Sequence, residues 1–283
     1  MLIEVRGTRL YVDRRGAADA PPLLFLHGGP GSGSYDFLFF QGDRLAERLQ
    51  VIGVDQRGVQ QSDPLTAPIT ELDLLADFEA LRETLGVESW SILGHSFGGR
   101  LALRYAVAHP DTVTKVVFEN PAWDVRLNSE TLIRAAQRIA PAVQLLPHEG
   151  PATKQMRDDR IALLHELGDR RMEIYLGPDT KELVLPADTE IPDELHARSG
   201  RFSEVITQTP EFLESLLPLL AQITQPALLI KGAHDPVTSP EEIARYQADV
   251  PDGTYYSAAT AGHFVHAEAA DAYTRVVTDF VLS

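Results

Sequence analysis

The chain has 283 residues, of which 44% are hydrophobic, enough for a sizeable buried core. Its 41 acidic and 25 basic residues give a net charge of −16, which would repel a phosphate backbone or an anionic membrane surface. We therefore expect neither nucleic acid nor a membrane as a partner, and the absence of cysteine excludes disulfides and cysteine-ligated metals.

The first part of the chain predicts a hairpin followed by short apolar strands. Its opening residues lack the apolar stretch of a signal peptide, so we expect a cytoplasmic protein. Alternating residues at 2–5 and 10–13, on either side of Gly7, predict two paired strands. Short apolar runs predict six more strands, at 23–26, 51–54, 89–93, 113–119, 227–231 and 253–258.

Helical patterns separate these strands. Thr70 is a predicted N-cap, with Asp73 three residues on, and Gly86 ends the same helix. Its buried stripe comprises Leu74, Phe78, Leu81 and Leu85. Two further helices are predicted at 240–248 and 265–282. Strands alternating with helices predict an α/β fold with a mostly parallel eight-stranded sheet flanked by helices.

This alternation stops between residues 122 and 224, where prolines recur and the helical pieces are short, as at 129–139 and 158–167. We interpret 122–224 as a helical cap inserted after the sixth strand, which ends at Glu119. Residues 1–121 and 225–283 would then form the core domain.

A motif directly after the strand at 89–93 indicates nucleophilic chemistry. Gly94-His95-Ser96-Phe97-Gly98 lies between that strand and a helical stretch. A serine hydroxyl is a poor nucleophile unless a sharp turn presents it to a base and to backbone N–H groups. Ser96 is therefore the candidate nucleophile; an ordinary glycine turn is the alternative.

A glycine-rich loop, His27-Gly28-Gly29-Pro30-Gly31, follows the strand at 23–26. In such sheets ligands bind beyond the carboxyl ends of the strands. The N–H groups of Gly29 and Phe97 are the candidate oxyanion hole. A plain turn or a phosphate cradle is the alternative, but no Gly-Lys-Ser/Thr follows.

Asp235 and His263 each follow a predicted strand, which gives the chain order Ser96, Asp235, His263. A histidine can take the serine proton and return it to the leaving group, and an aspartate fixes the histidine tautomer. We predict these three residues as a catalytic triad.

Other residues compete for these roles. Glu119 also ends a strand and is an alternative acid, while His266 with Glu268 could mimic a metal site. We predict neither a metal nor a cofactor. His27 and His95 are expected to shape the pocket, with His27 anchoring the oxyanion loop. Asp55-Gln56-Arg57-Gly58 is interpreted as a turn held by a local ion pair.

Together these residues resemble the α/β-hydrolase superfamily over nearly the whole chain outside the cap. The pairing of His27-Gly28-Gly29-Pro30-Gly31 with Asp55-Gln56-Arg57-Gly58 resembles the proline iminopeptidase group. That resemblance implies an aminopeptidase that releases an N-terminal proline or another small residue without a metal, with cap glutamates holding the free amine.

The sequence departs from that group in three places. Gln60 stands where glycine is expected, His95 and Phe97 flank Ser96 as in many esterases and C–C hydrolases, and no Trp-Glu motif is found in the cap. Glu173 and Glu204 are the nearest candidates for amine ligands, and two solvated surface carboxylates are the alternative. The other candidate substrate contacts are Gly28, His95, Trp123 and Phe264.

The resulting hypothesis is a metal-free serine hydrolase that acts through an acyl-enzyme on a small molecule or short peptide. A carboxylesterase or lactonase on a small ester is the alternative to the aminopeptidase. A C–C hydrolase, a lyase and a hydrolase-like small-molecule receptor are further alternatives. Epoxide hydrolases and dehalogenases need an aspartate where Ser96 stands, which disfavours them.

Overall fold

The computed structural model describes residues 1–141 and 150–283. Eight strands form one sheet in the order β1-β2-β4-β3-β5-β6-β7-β8. Strands β1 and β2 pair antiparallel, as do β2 and β4, and every other neighbouring pair is parallel. The strands are β1 (Leu2–Val5), β2 (Thr8–Arg15), β3 (Pro22–Leu26), β4 (Gln50–Val54), β5 (Trp90–His95), β6 (Val113–Glu119), β7 (Ala227–Gly232) and β8 (Gly253–Ala258). The predicted mostly parallel sheet of eight strands is confirmed.

The central strands are apolar throughout because both faces of the sheet are covered. In β3, Leu24 and Leu26 belong to the hydrophobic core on one face, while Leu23 and Phe25 belong to the core on the other. Alternate side chains of a strand point to opposite faces, so a continuous apolar run indicates burial on both sides.

Helices lie between and beyond these strands. They are α1 (Tyr35–Phe37), α2 (Asp43–Ala46), α3 (Glu71–Thr84), α4 (Phe97–Ala108), α5 (Val125–Ile139), α6 (Lys154–Leu167), α7 (Met172–Tyr175), α8 (Ala187–Glu190), α9 (Asp193–Thr207), α10 (Pro240–Asp249), α11 (Val265–Glu268) and α12 (Ala270–Leu282). A π-helical turn at Leu38–Gly42 joins α1 to α2, and 3-10 turns occur at Gly168–Arg171, Pro210–Leu213 and Leu217–Gln222. None of the described helices is long and apolar enough to span a bilayer.

The helix predicted after Thr70 has the expected cap. The Thr70 hydroxyl accepts a hydrogen bond from the Asp73 N–H at 3.3 Å, and the Asp73 carboxylate accepts one from the Thr70 N–H at 2.9 Å. This reciprocal pair satisfies two N–H groups that the first turn cannot pair itself. Leu74, Phe78 and Leu81 are fully buried, whereas Leu85 is only half-buried.

Three predicted helices have different bounds in the structure. Two begin earlier because an upstream side chain caps them: Asp124 accepts from the Leu127 N–H at 3.0 Å, and Thr153 accepts from the Met156 N–H at 3.2 Å. The single helix predicted at 265–282 is two helices, since the backbone of Ala269 leaves the helical region with φ −133° and ψ 46°.

The segment between β6 and β7 carries α5 to α9. Its helices α5, α6 and α7 share a small hydrophobic core of their own, with Leu132, Ala136, Leu163 and Ile174 at its centre. Val237, which follows β7, also belongs to this core, so the inserted segment packs against the end of the sheet from which the candidate catalytic loops emerge.

Candidate active site

Ser96 occupies a sharp turn between β5 and α4. Its backbone has φ 54° and ψ −117°, a conformation that non-glycine residues rarely adopt. The turn is held on both sides, because the Ser96 N–H donates to the Glu119 carbonyl at 3.0 Å and the Ser96 carbonyl accepts from the Gly99 N–H at 3.0 Å. The fold therefore imposes the strained backbone that presents a serine at the end of a strand.

Two glycines make this turn sterically feasible. A Cβ on Gly98 would overlap the carbonyl oxygen of Leu26, and one on Gly94 would overlap the carbonyl oxygen of Gly98. Because no side chain intervenes, α4 begins directly against β3 and β5.

Asp235 and His263 form a direct pair beside this turn. His263 Nδ1 lies 2.7 Å from Asp235 Oδ1, and both side chains are buried. Because the carboxylate accepts the Nδ1 proton, a neutral imidazole carries its lone pair on Nε2. That is the tautomer a general base needs.

The Asp235 carboxylate is held as an anion. Burial alone would raise its pKa, but the Lys231 ammonium, 3.1 Å from Oδ2, and the His263 imidazole outweigh burial and bring the pKa of Asp235 to about 2. The N–H groups of Val237 and Thr238 also donate to the carboxylate, at 3.0 Å and 2.9 Å. Lys231 is a residue of this site that was not predicted from the sequence.

Ser96 and His263 line the same cavity, which has a volume of about 470 Å³. Within the described residues, the Ser96 hydroxyl makes no hydrogen bond to the imidazole. Catalytic hydrogen bonds are often loose in a ligand-free enzyme and tighten when substrate binds.

Two backbone donors border this cavity. Gly29 has φ 107° in the loop after β3, and Phe97 is the first residue of α4. Across the described ranges, neither N–H donates a hydrogen bond within the protein. Free N–H groups beside a nucleophile can hold a developing oxyanion, and the N-terminus of α4 adds its positive dipole end.

His27 anchors the loop that carries Gly29. Its Nε2 accepts from the Gln56 N–H at 3.1 Å, so in the neutral ring Nδ1 donates to the Gly28 carbonyl at 3.1 Å. Burial lowers the pKa of His27 to about 4, which keeps the ring neutral near pH 7.

Glu119 does not pair with His263. Its carboxylate accepts from the N–H and Nδ1 of His266, both at 2.9 Å, and from the Tyr273 hydroxyl at 2.9 Å. His95, Glu119 and His266 place ligand-type atoms within 4.8 Å of one another. These groups are paired among themselves or with backbone, as His95 Nε2 donates to the His263 carbonyl at 3.0 Å.

Glu268 does not form the metal-like pair with His266 that was considered as an alternative. Its carboxylate instead accepts from the N–H groups of Gly177, Gly262 and Phe264. This carboxylate therefore ties the residues that follow α7 to the loop that carries His263.

The ion pair predicted within residues 55–58 does not form. The Asp55 carboxylate accepts from the Ser34 N–H at 2.8 Å and from its hydroxyl, whereas Arg57 pairs with Asp77 at 2.5 Å. The turn places the two charges toward different neighbours.

Gln60, the residue that replaces an expected glycine, has φ 37° and donates through Nε2 to the Ser32 carbonyl at 2.6 Å.

Three of the six candidate substrate contacts line the cavity with Ser96, namely Gly28, His95 and Phe264. Trp123 does not, since it is fully buried and its ring stacks on Tyr246. Glu173 pairs with Arg170 on the surface at 2.9 Å. Glu204 pairs with Arg201 beside a separate surface depression. We do not retain Trp123, Glu173 or Glu204 as substrate contacts.

The cavity wall includes charged residues that the sequence analysis did not single out. Arg160, Arg171 and Asp188 come from the inserted segment, and Asp36 comes from α1. Helical spacing identifies none of them, because the face of the inserted helices that meets the cavity depends on how that segment packs.

Comparison with known proteins gives a consistent fold. Residues 21–146 match a family model described as the α/β hydrolase fold. A proline iminopeptidase of Neisseria meningitidis serogroup A is 33% identical over 168 residues, covering 56% of this chain and 52% of that protein. The chain thus matches about half the length of this curated relative.

Solved structures resemble the whole chain at lower identity. A proline iminopeptidase-related protein of Thermus thermophilus has a TM-score of 0.80 at 22% identity, covering 100% of this chain and 96% of the other. An enol-lactonase of Burkholderia xenovorans LB400 has a TM-score of 0.74 at 22% identity, covering 100% of both chains. These likenesses establish the fold.

Proposed function

We propose that this chain, which belongs to the α/β-hydrolase superfamily, is a metal-free serine hydrolase in which Ser96, His263 and Asp235 form the triad. The observation that carries the proposal is the 2.7 Å pair of His263 Nδ1 with Asp235, formed beside a cavity that Ser96 also lines. The free N–H groups of Gly29 and Phe97 border the same space and support an oxyanion hole there.

The reaction would proceed in two halves. Ser96 Oγ attacks the substrate carbonyl carbon while His263 Nε2 takes the hydroxyl proton, and Asp235 stabilises the imidazolium. The Gly29 and Phe97 N–H groups hold the tetrahedral oxyanion, each donor contributing about 3 kcal/mol to transition-state binding. As the intermediate collapses, His263 gives its proton to the leaving group and the acyl group stays on Ser96.

Water completes the cycle. His263 removes a proton from a water molecule, which attacks the acyl carbonyl, and the second tetrahedral intermediate releases a carboxylic acid. The proton then returns from His263 to Ser96 Oγ. These steps use side chains and backbone N–H groups of this chain alone.

For the substrate, the first candidate is a peptide or amide from which a small N-terminal residue is released. The named activity of the curated relatives supports it, and the matches cover about half of their length or less. A free amine needs an anionic partner. Asp36 supplies a carboxylate on the cavity wall, where Oδ1 accepts from the Ala187 N–H at 2.8 Å.

A small carboxylic ester or lactone is the second candidate. It is favoured because Glu173 and Glu204, the acidic residues expected to hold an amine, lie outside the cavity with Ser96. An ester needs no ammonium ligand.

We also propose that residues 122–224 act as a cap domain on a core formed by 1–121 and 225–283. The inserted segment supplies Leu132, Arg160 and Tyr175 to the cavity that holds Ser96. Substrate selection would then depend on the cap, and bond cleavage on the core.

The test compares 4-nitroanilides of proline and alanine with short 4-nitrophenyl esters. Turnover of at least one class by the parent protein is expected, and Ser96→Ala should remove it. Ser91→Ala, on the same strand and outside the cavity, serves as the matched control. Full activity of Ser96→Ala would contradict the triad, and ester turnover without anilide turnover would exclude the aminopeptidase.

A further inference from the structure

Arg160 is a cation on the wall of the cavity, and none of the described residues forms an ion pair with it. It projects from α6 and is half-buried. Within the described residues its guanidinium makes no hydrogen bond and no ion pair, and it lies over the ring of Phe212, whose centroid is 5.7 Å from the guanidinium carbon. A partly desolvated cation without a counter-charge is costly.

The neighbouring arginine of the same helix shows the contrast. Arg157, one turn earlier, pairs with Asp158 at 2.6 Å and donates to the Thr207 carbonyl at 3.0 Å. Arg157 is therefore satisfied by the protein, and it lies outside the cavity wall. Arg160 has the same chemistry but turns its donors toward the space that faces Ser96.

The electrostatics of the wall agree with this contrast. Burial lowers the pKa of the Arg160 guanidinium, and the charge of Arg157 lowers it further. Burial likewise raises the pKa of Tyr175 to about 12, although both Arg160 and Arg171 act to lower it. Two arginines therefore lie within electrostatic reach of one phenol.

Tyr175 lies near these two arginines and also near the proposed general base, His263. The Tyr175 ring centroid is 5.3 Å from that of His263. In the described structure the two carboxylates of the wall, Asp36 and Asp188, do not pair with either arginine. The counter-charge of Arg160 would therefore come from a molecule bound in the cavity.

We infer that the substrate of this cavity carries a carboxylate in addition to its reacting carbonyl, and that Arg160 binds this carboxylate. This inference rests on the proposed serine hydrolase. A guanidinium matches a carboxylate through two parallel N–H donors, and such charge-assisted pairs are the stronger class of hydrogen bond. Apolar residues that line the same cavity, including Leu132, Leu164 and Phe212, would hold the carbon skeleton.

The volume and composition of the wall limit the ligand to a small one. A cavity of about 470 Å³ is in the range used for small molecules, with a few polar groups fixing orientation among apolar side chains. A carboxylate on the acyl part and the C-terminal carboxylate of a short peptide have the same chemistry, and the same guanidinium would recognise either.

The test measures binding by calorimetry, because binding does not require turnover. Phenylacetate and adipate are compared with their neutral amides on the parent protein, on Arg160→Gln and on Arg170→Gln. Arg170 is the matched control, since it pairs with Glu173 on the surface outside the cavity. Thermal unfolding of each variant reports whether the fold is kept.

We expect at least one of the two acids to bind the parent at least tenfold more tightly than its amide. Arg160→Gln should abolish that preference, while Arg170→Gln keeps it. A parent that binds neither acid more tightly than its amide would overturn the inference, as would an Arg160→Gln variant that keeps the preference.

A second readout separates this inference from the proposed function. A fluorophosphonate labels an activated serine, and the bound acid should slow labelling of Ser96 in the parent but not in Arg160→Gln. Failure of any labelling contradicts the activated serine, and binding still decides the role of Arg160. Labelling that the acid slows equally in both proteins contradicts the role of Arg160 and leaves the serine hydrolase standing.

Discussion

The backbone carbonyl of Tyr175 accepts a hydrogen bond from the backbone N–H of His263 at 2.6 Å. The two residues come from the inserted segment and from the loop after β8, so the segment touches the backbone that positions the imidazole. Gly262 permits this approach, because a Cβ there would overlap the same Tyr175 carbonyl. The position of His263 is thus coupled to the packing of α7.

Glu268 strengthens this junction, and its removal gives the first prediction. Its Oε2 accepts from the Gly177 N–H at 2.6 Å and from the Thr180 hydroxyl at 2.5 Å. Glu268→Ala leaves these donors unpaired, and we expect a loss of about 2 kcal/mol of stability with a tenfold or greater fall in kcat. Hydrogen exchange should show faster exchange of the 175–180 backbone.

The control for this prediction is Asp271→Ala. Asp271 is an exposed carboxylate near Glu268 that pairs with Arg44 on the surface. Exposed pairs contribute little, so we expect less than about 0.5 kcal/mol and unchanged turnover. Equal effects of the two substitutions would show that Glu268 has no positioning role.

Asp235→Asn gives the second prediction. The amide would present an N–H donor to His263 Nδ1 in place of an acceptor, which favours the tautomer with its proton on Nε2. That ring cannot take the Ser96 proton, so we expect kcat to fall by about 10⁴ while the fold is retained. Steady-state kinetics with a 4-nitrophenyl ester measures the fall.

A change in the pH profile accompanies that variant. Because the pKa of Asp235 is about 2, its carboxylate stays ionised over the working pH range. The fall of the parent's activity at acidic pH therefore does not reflect protonation of Asp235. In Asp235→Asn, activity should recover partly at high pH, where hydroxide can take the serine proton that the imidazole no longer accepts. A variant with parental kcat would remove Asp235 from the mechanism.

Much of the fold and of the proposed triad could be predicted because its signals are local. The capping residues Thr70 and Asp73 are three apart, and Ser96 lies between an apolar strand and a helix, so neighbouring residues determine both structures. The loops of Asp235 and His263 follow strands whose apolar runs are equally visible.

The contacts of the inserted segment depend on packing instead. Arg160 was visible as one polar residue of a helix, but nothing in the spacing tells which helix face meets the cavity. The surface ion pairs of Glu173 and Glu204, by contrast, have a local signal in the sequence. Each has an arginine three residues before it, and i,i+3 pairs of this kind form on the surface of one helical turn.

The third prediction concerns Gly28, which lies against the nucleophile. A Cβ there would approach the Ser96 Cβ to 2.9 Å and the His95 carbonyl oxygen to 3.0 Å, closer than such atoms normally come. Gly28→Ala should displace the loop that carries the Gly29 N–H, and we expect kcat to fall by about 10² with a smaller change in KM. Gly200→Ala, at a position in α9 where an added Cβ meets no atom within 4 Å, controls for backbone effects of the substitution. A change in KM with an unaltered kcat would show that Gly28 does not keep the oxyanion loop in position.

The fourth prediction is a pH dependence of stability from the buried pair of Glu119 and His266. Burial would raise the pKa of Glu119, but His266 and His95 outweigh burial and lower the pKa to about 2. Burial would lower the pKa of His266, but the Glu119 carboxylate outweighs burial and the pKa is raised.

The directions of the two pKa shifts define a pH range in which both groups stabilise the fold. Glu119 stabilises the fold above its ordinary pKa of 4.5, and this contribution is lost as the pH falls through about 2. His266 stabilises the fold below its ordinary pKa of 6.5, and this contribution is lost as the pH rises through its raised pKa. Both contributions are therefore fully present between pH 4.5 and 6.5.

Glu119→Gln should consequently lower the free energy of unfolding most inside that window. We expect a loss of about 3 kcal/mol near pH 5.5, since the substitution removes one partner of a buried pair, and a smaller loss toward pH 3 and above pH 8. Urea unfolding followed by circular dichroism at several pH values measures the difference between parent and variant. Asp249→Asn breaks an exposed pair with Arg245 and should show a small difference that varies little with pH. A Glu119→Gln difference that is constant from pH 3 to pH 8 would mean that the pair is not ionised in the native protein.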